Sequence, residues 1–176
     1  MVKIGLISDT HIKDPDDKNI KKLLKELNDI FKDVDKIIHA GDINHLIFLK
    51  ELEKIAPTVY VTGEDDEIES LKNYKEIIIE QYNIGVIHQL PENLEEFCNI
   101  KKLIGGILVF GHTHKPLIKG TPYNTLLLNP GSPTYPKTPD KIKGFENPIA
   151  RPSVMILKID KGIVSSFIIN PRFHSI

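Results

Sequence analysis

Among 176 residues there is one cysteine, Cys98, and no tryptophan. A lone thiol excludes an intrachain disulfide framework and a cysteine-built zinc site, and it fits a reducing compartment. No run approaches the ~18–20 consecutive apolar residues that span a bilayer. The apolar opening, Met1 to Ile7, is cut short by Ser8-Asp9-Thr10-His11, too soon for the core and cleavage site of a signal peptide. An excess of one charge is lacking too: 23 Lys and Arg stand against 24 Asp and Glu, a formal net charge of -1. That balance does not call for a nucleic-acid or membrane-surface partner. The expectation is a cytoplasmic protein.

What is present is ordinary for a folded chain. Hydrophobic residues make up 40% and charged residues 27%, which suits a single domain over residues 1–176 and does not suit disorder. Val2 to Ile7 reads as a buried strand. After the acidic stretch Asp14-Pro15-Asp16-Asp17, a plausible helix start, Ile20, Leu23, Leu24, Leu27, Ile30 and Phe31 recur at helical steps. Lys36 to His39 is a second strand, Leu46 to Glu53 a second helix, and Thr58 to Thr62 a third strand. This alternation implies parallel strands with helical crossovers. Glu76–Ile79 and Ile84–Ile87 then suggest a hairpin, Leu94–Lys102 a helix and Ile107–Phe110 a buried strand.

Short strands follow at Leu117–Lys119, Thr125–Leu128, Val154–Ile159 and Val164–Ile169, with Asp160-Lys161-Gly162 as a hairpin turn. This second half is expected to form its own mixed or largely antiparallel sheet. Residues 137–152, with Pro139, Pro148 and Pro152, read as a surface loop or lid.

Five strand candidates end in polar clusters: Asp9-x-His11, Gly41-Asp42, Gly63-Glu64-Asp65-Asp66, His88, and Gly111-His112-x-His114. The carboxyl ends of parallel strands form the ligand crevice of an open α/β sheet, so these clusters can converge on one place. Individually most are weak. Gly41-Asp42 also reads as a tight turn that caps the next helix, and a single His88 is more often a buried, hydrogen-bonded imidazole than a ligand. His112-Thr113-His114 is stronger, because two imidazoles one residue apart suit chelation from one side. His39 is expected to be packed, and His45 to sit at a solvated helix start. Cys98 and His174 are given no role, and Leu94–Phe97 is assigned to the core.

In this order and at these spacings, the motifs from Ile4 to about Ser132 resemble the calcineurin-like metallophosphoesterases, with Asn129-Pro130-Gly131-Ser132 similar to that family's closing turn. The short chain and Gly-His-Thr-His-Lys-Pro are most similar to the small archaeal and bacterial phosphodiesterase branch, whose size and fold Vps29 shares. The resemblance implies a two-sheet αββα sandwich with its site at the C-terminal ends of the strands. It further implies two divalent metal ions, Mn²⁺ first, with Ni²⁺, Fe²⁺ and Zn²⁺ as alternatives. Asp9, His11, Asp42 and His114 would hold one ion; His88, His112 and Glu64 would hold the other, with Asp42 bridging. Two such ions, about 3.5–4 Å apart, clamp phosphate oxygens and lower the pKa of a shared water.

The implied function is hydrolysis of a small phosphate ester, a diester by preference, through attack of a metal-bridging hydroxide. The alternative is a Vps29-like binding module with an idle or weak site. The oligomeric state, a homo-oligomer included, stays open. Three positions depart from the family pattern. Glu64 stands where the family has Asn, with Asp65 and Asp66 as other candidates for the metal. Asp65 stands where larger members have a catalytic His, and Gln89 follows His88 where Gly is usual.

Overall fold

The side chains of Val2–Ile7, strand β1, divide between two apolar layers. Ile4 and Leu6 enter a cluster shared with a second sheet, whereas Ile7 packs among helix residues. Burial on both faces is why this strand reads as a continuous apolar run instead of an alternating one. The computed structural model describes residues 1–14, 17–66 and 72–172; Pro15, Asp16 and His174 lie outside the described residues.

Helix α1 (Lys18–Phe31) begins where the Asp17 carboxylate accepts the backbone N–H of Asn19 at 2.7 Å, a cap for an otherwise unpaired donor. Its buried face is Ile20, Leu23, Leu27 and Phe31. Strand β2 (Lys36–His39), helix α2 (Leu46–Ile55) and strand β3 (Thr58–Tyr60) follow, with β2 parallel to β1 and β3 parallel to β2. The N-cap of α2 is His45, whose Nδ1 accepts the Ile47 N–H at 3.3 Å. Asp42 therefore does not cap this helix.

Strands β4 (Tyr74–Ile79), β5 (Tyr82–Ile87), β6 (Ile107–Val109), β7 (Leu117–Gly120) and β8 (Leu126–Asn129) build a second, mixed sheet in the order β4-β5-β6-β8-β7. Helix α3 (Leu94–Ile100) is shorter than expected. Its Cys98, with Leu94 and Phe97, packs against Leu108, Phe110 and Leu127 on the outer face of that sheet.

The hairpin of β9 (Val154–Asp160) and β10 (Ile163–Ile169) overturns one expectation. It joins the first sheet, ordered β10-β9-β1-β2-β3, with β9 antiparallel to β1. Met155, Leu157 and Ile159 complete the inter-sheet core, while Val154 and Ile156 lie in the helix-facing layer. A hairpin's sequence sets its own turn but not the edge it joins. That turn is as expected: Lys161 and Gly162 both have positive φ, 50° and 79°, the two-residue geometry that matches strand twist.

The result is two five-stranded sheets face to face, with α1 and α2 on one outer face and α3 on the other. Residues 137–152 form no helix or strand, and Lys115 Nζ holds Asp140 of this stretch at 2.6 Å.

Candidate metal centre

Where β1, β2, β5 and β6 stop, their pairing continues through the loops. Asp9 N–H donates to Gly41 O at 3.0 Å, His11 N–H to Asp42 O at 3.0 Å, and Gly111 N–H to His88 O at 2.9 Å. Each keeps the polar ends within one sheet side by side, and the His112 N–H to Asp9 Oδ1 at 2.8 Å and His88 Nδ1 at Ala40 O at 2.8 Å join the two sheets there. The backbone takes unusual forms there: Asp9, His11, Asp42, His112 and His114 all have positive φ, between 42° and 66°. Side-chain-bearing residues rarely adopt this region, and each instance costs on the order of 1–3 kcal/mol. Five of the seven candidate ligands are held this way, so the strain is concentrated at one place.

The side chains form two groups. Donor atoms of Asp9, His11, Asp42 and His114 lie within 4.8 Å of one another, and so do those of Glu64, His88 and His112. Asp42 stands between them: its Oδ2 is 3.5 Å from His11 Nε2 and 3.3 Å from His88 Nε2. Asp9 Oδ1 is 3.6 Å from His114 Nε2. In the second group Glu64 Oε1 lies 2.8 Å from His112 Nδ1, and Oε2 lies 3.5 Å from His88 Nε2. Glycines make room for this crowding. A Cβ on Gly63 would overlap the Asp42 carboxylate, and one on Gly41 would meet the His88 ring.

Each imidazole that turns Nε2 inward has its other nitrogen engaged. His88 Nδ1 meets Ala40 O at 2.8 Å, His114 Nδ1 meets Tyr135 O at 2.6 Å, and His11 Nδ1 lies 3.3 Å from the Asp65 carboxylate. The carbonyls at Nδ1 of His88 and His114 fix the proton there and direct Nε2 into the centre, as metal-binding histidines require, and the Asp65 carboxylate favours the same tautomer of His11. His88 Nε2 and His112 Nδ1 are buried with no hydrogen-bond partner among the described residues. Glu64 is close to His112 Nδ1 but does not lie along a hydrogen-bond direction.

The electrostatics favour positive charge at this point. Burial disfavours a charged His88, yet the Asp42 carboxylate 3.3 Å away, the Ala40 carbonyl and the field of Asp9 outweigh that and carry its pKa to about 9. Burial likewise opposes ionisation of Asp42, but His88, the Asp65 N–H and His11 together hold it below its ordinary value. Asp9 moves upward, chiefly through burial. The mixed imidazole and carboxylate donors, the unpartnered inward nitrogens and this field fit divalent cations, without selecting among Mn²⁺, Ni²⁺, Fe²⁺ and Zn²⁺.

Other candidates are placed elsewhere. Asp66 accepts N–H groups from Ile43, Asn44 and Gly63 at 2.8, 2.7 and 2.9 Å, so both its oxygens are engaged in joining two loops. His39 is fully buried, with Nε2 3.0 Å from Thr10 Oγ1, and burial lowers its pKa to about 3. Gln89 is exposed at the edge of the second group.

The closing turn is more than a terminus. Asn129 Nδ2 donates to Gly111 O at 2.8 Å, Ser132 Oγ to Asp9 O at 2.7 Å, and Thr134 Oγ1 to Thr10 O at 2.9 Å. These bonds brace the strained loops. Reasoning from sequence did not find the bracing roles of Ser132 and Thr134, the carbonyl of Tyr135 or the Asp65–His11 pairing. The Asn-Pro-Gly-Ser turn was their one available signal.

Parallel strands at the heart of two mixed sheets, presenting imidazoles and a shared carboxylate at their ends as candidate metal ligands, are the architecture of a metallophosphoesterase. The chain belongs to the calcineurin-like phosphoesterase superfamily, whose domain profile matches residues 2–161. It is similar to a probable metallophosphoesterase of Methanothermobacter thermautotrophicus, 35% identical over 89% of this chain and 86% of that protein. A phosphodiesterase of Methanocaldococcus jannaschii is 28% identical over 74% of this chain and 83% of its own. The fold is shared with wild-type Vps29 of Entamoeba histolytica in complex with Zn²⁺, with a TM-score of 0.67 and 24% identity over 96% of this chain and 99% of that one.

Proposed function

We propose that the chain is a phosphodiesterase that works with two divalent ions. Asp9, His11, Asp42 and His114 would hold one ion, Glu64, His88 and His112 the other, and Asp42 both. One observation carries this reading: the Asp42 carboxylate is shared between the two donor groups, at 3.5 Å from His11 and 3.3 Å from His88. When bound, such ions supply Lewis-acid polarisation of phosphoryl oxygens and a water of lowered pKa.

The chain's own residues do the positioning. Ala40 O, Tyr135 O and Asp65 hold the three imidazoles in one tautomer, and the His112 N–H fixes Asp9 Oδ1 at 2.8 Å. Asp65, at the position where larger relatives carry a catalytic His, lies against His11 instead. A leaving group that departs without a protonating side chain is then preferred. The natural substrate on this reading is a small phosphate diester.

The test is turnover of an activated aryl phosphodiester beside its monoester, after loading with Mn²⁺, Ni²⁺, Fe²⁺ or Zn²⁺. Faster diester cleavage is expected. Faster monoester cleavage with every metal would overturn the diester preference. A second reading, a Vps29-like binding module with a weak site, is favoured by Glu64, whose side chain is 50% exposed. Absence of turnover with all four metals would select it.

A further inference from the structure

Two hollows flank the centre, and they differ in size and charge. The larger, about 470 Å³, opens beside His11 and His114 and is walled by Lys13, Asp65, Tyr135 and Lys137. The smaller, about 250 Å³, lies on the other side beside His88, where Glu64 is the charged wall. A phosphodiester has two arms, and a centre between unequal hollows distinguishes them.

The larger hollow has a fixed aromatic wall. Tyr135 donates its N–H to Ser132 Oγ at 2.8 Å, and its carbonyl holds His114 Nδ1 at 2.6 Å. Both bonds lock the backbone from which the ring projects. The ring stands edge-on to the His11 imidazole, with centroids 5.6 Å apart and an angle of 85°. Lys137 donates its N–H to His114 O at 3.1 Å, which pins the same segment to the centre. A planar group entering here meets the rings of Tyr135 and His11, carried on backbone that is already anchored.

Charge gives the second criterion. Lys13 and Lys137 come from different segments that both line the opening, and neither forms an ion pair among the described residues. The acid on that wall, Asp65, is engaged with His11 Nδ1. The smaller hollow offers a carboxylate instead, which repels an anion.

We propose that the larger hollow is a subsite that selects a planar aromatic arm bearing an additional negative charge, and that the compact arm lies on the His88 side. This rests on the phosphodiesterase reading above and extends it to a substrate class and an orientation.

The probes are 4-nitrophenyl phenyl phosphate and its analogue with a carboxylate on the phenyl ring. Parent protein should prefer the carboxylated diester by roughly fivefold to tenfold, mainly through KM, the scale two partly exposed ion pairs supply. That preference should shrink at high salt. Lys13→Gln with Lys137→Gln should bring the ratio towards one. Lys50→Gln with Lys54→Gln, the same charge change on the surface of α2, should leave it intact. An equal rate for both probes in parent, or a preference that survives the double substitution, overturns the proposal. Calorimetric binding of both probes separates this from the catalytic reading. Lysine-dependent preference in binding without turnover keeps the subsite and sinks the phosphodiesterase. Equal binding of the two probes sinks the subsite even where both are hydrolysed.

Discussion

The two donor groups are built to different standards. Asp9 and Asp42 of the first are buried, and all four of its members sit on strained, positive-φ backbone braced by the closing turn. Both of its imidazoles have their second nitrogen engaged. The second group keeps only His88 buried. His112 is 36% exposed in its side chain, and Glu64 reaches in on a chain that is 50% exposed. The difference is one of preorganisation: the first group is held by the fold, whereas the second relies on a long side chain that loses rotamer freedom when it binds.

The comparison is broken most severely at Asp42, the residue both groups share. Asp42→Asn removes the bridging charge and should lower diester turnover by on the order of a hundredfold or more, with both equivalents of metal weakened. Elemental analysis after Mn²⁺ loading checks it. Two full equivalents in this variant would show that Asp42 is not the bridge.

Glu64→Asn sharpens the contrast and should act on one group alone. Its loss of charge should weaken the second equivalent by about tenfold and spare the first. With metal saturating, turnover should rise by a few fold, because fewer negative charges then offset the two cations. Titration calorimetry and metal-saturated kinetics measure the two effects. Reduced turnover in a fully loaded variant would show that Glu64 contributes positively to the reaction.

The smallest effect concerns the floor under the centre. His39 has a folded-state pKa of about 3, against 6.5 ordinarily. Its depressed value means the unfolded chain binds the proton first, so stability is present above about pH 6.5 and declines as pH falls towards 3. By pH 5.5 the loss should amount to about 1 kcal/mol. Denaturant unfolding of the parent and of His39→Gln at pH 7 and 5.5 isolates it. An equal decline in both would assign the acid sensitivity elsewhere.

Much of the fold was legible because its elements follow from local pattern. The helical spacing from Ile20 to Phe31, the apolar strands ending in polar clusters, and the Asp-Lys-Gly turn all carry their physical cause within a few residues. The convergence of Asp9, Asp42, His88 and His112 was legible for a related reason: parallel strands deliver their carboxyl ends to the same edge. Asp66 could not be separated from Glu64 in this way. Both follow Gly63, and only the folded loop shows Asp66 taken up by three backbone amides.

The sequence by itself determined the alternation of strands and helices, the two-sided burial of β1, and the set of residues capable of meeting at the strand ends. Each depends on spacing, composition or turn chemistry, which act over short distances along the chain. Only the tertiary structure decided that β9 and β10 extend the first sheet, that Asp42 stands between two donor groups, and that Tyr135 and Asp65 aim the imidazoles. These depend on residues 21 to 157 positions apart meeting in space, where packing of both faces of a sheet and the satisfaction of buried nitrogens select one arrangement.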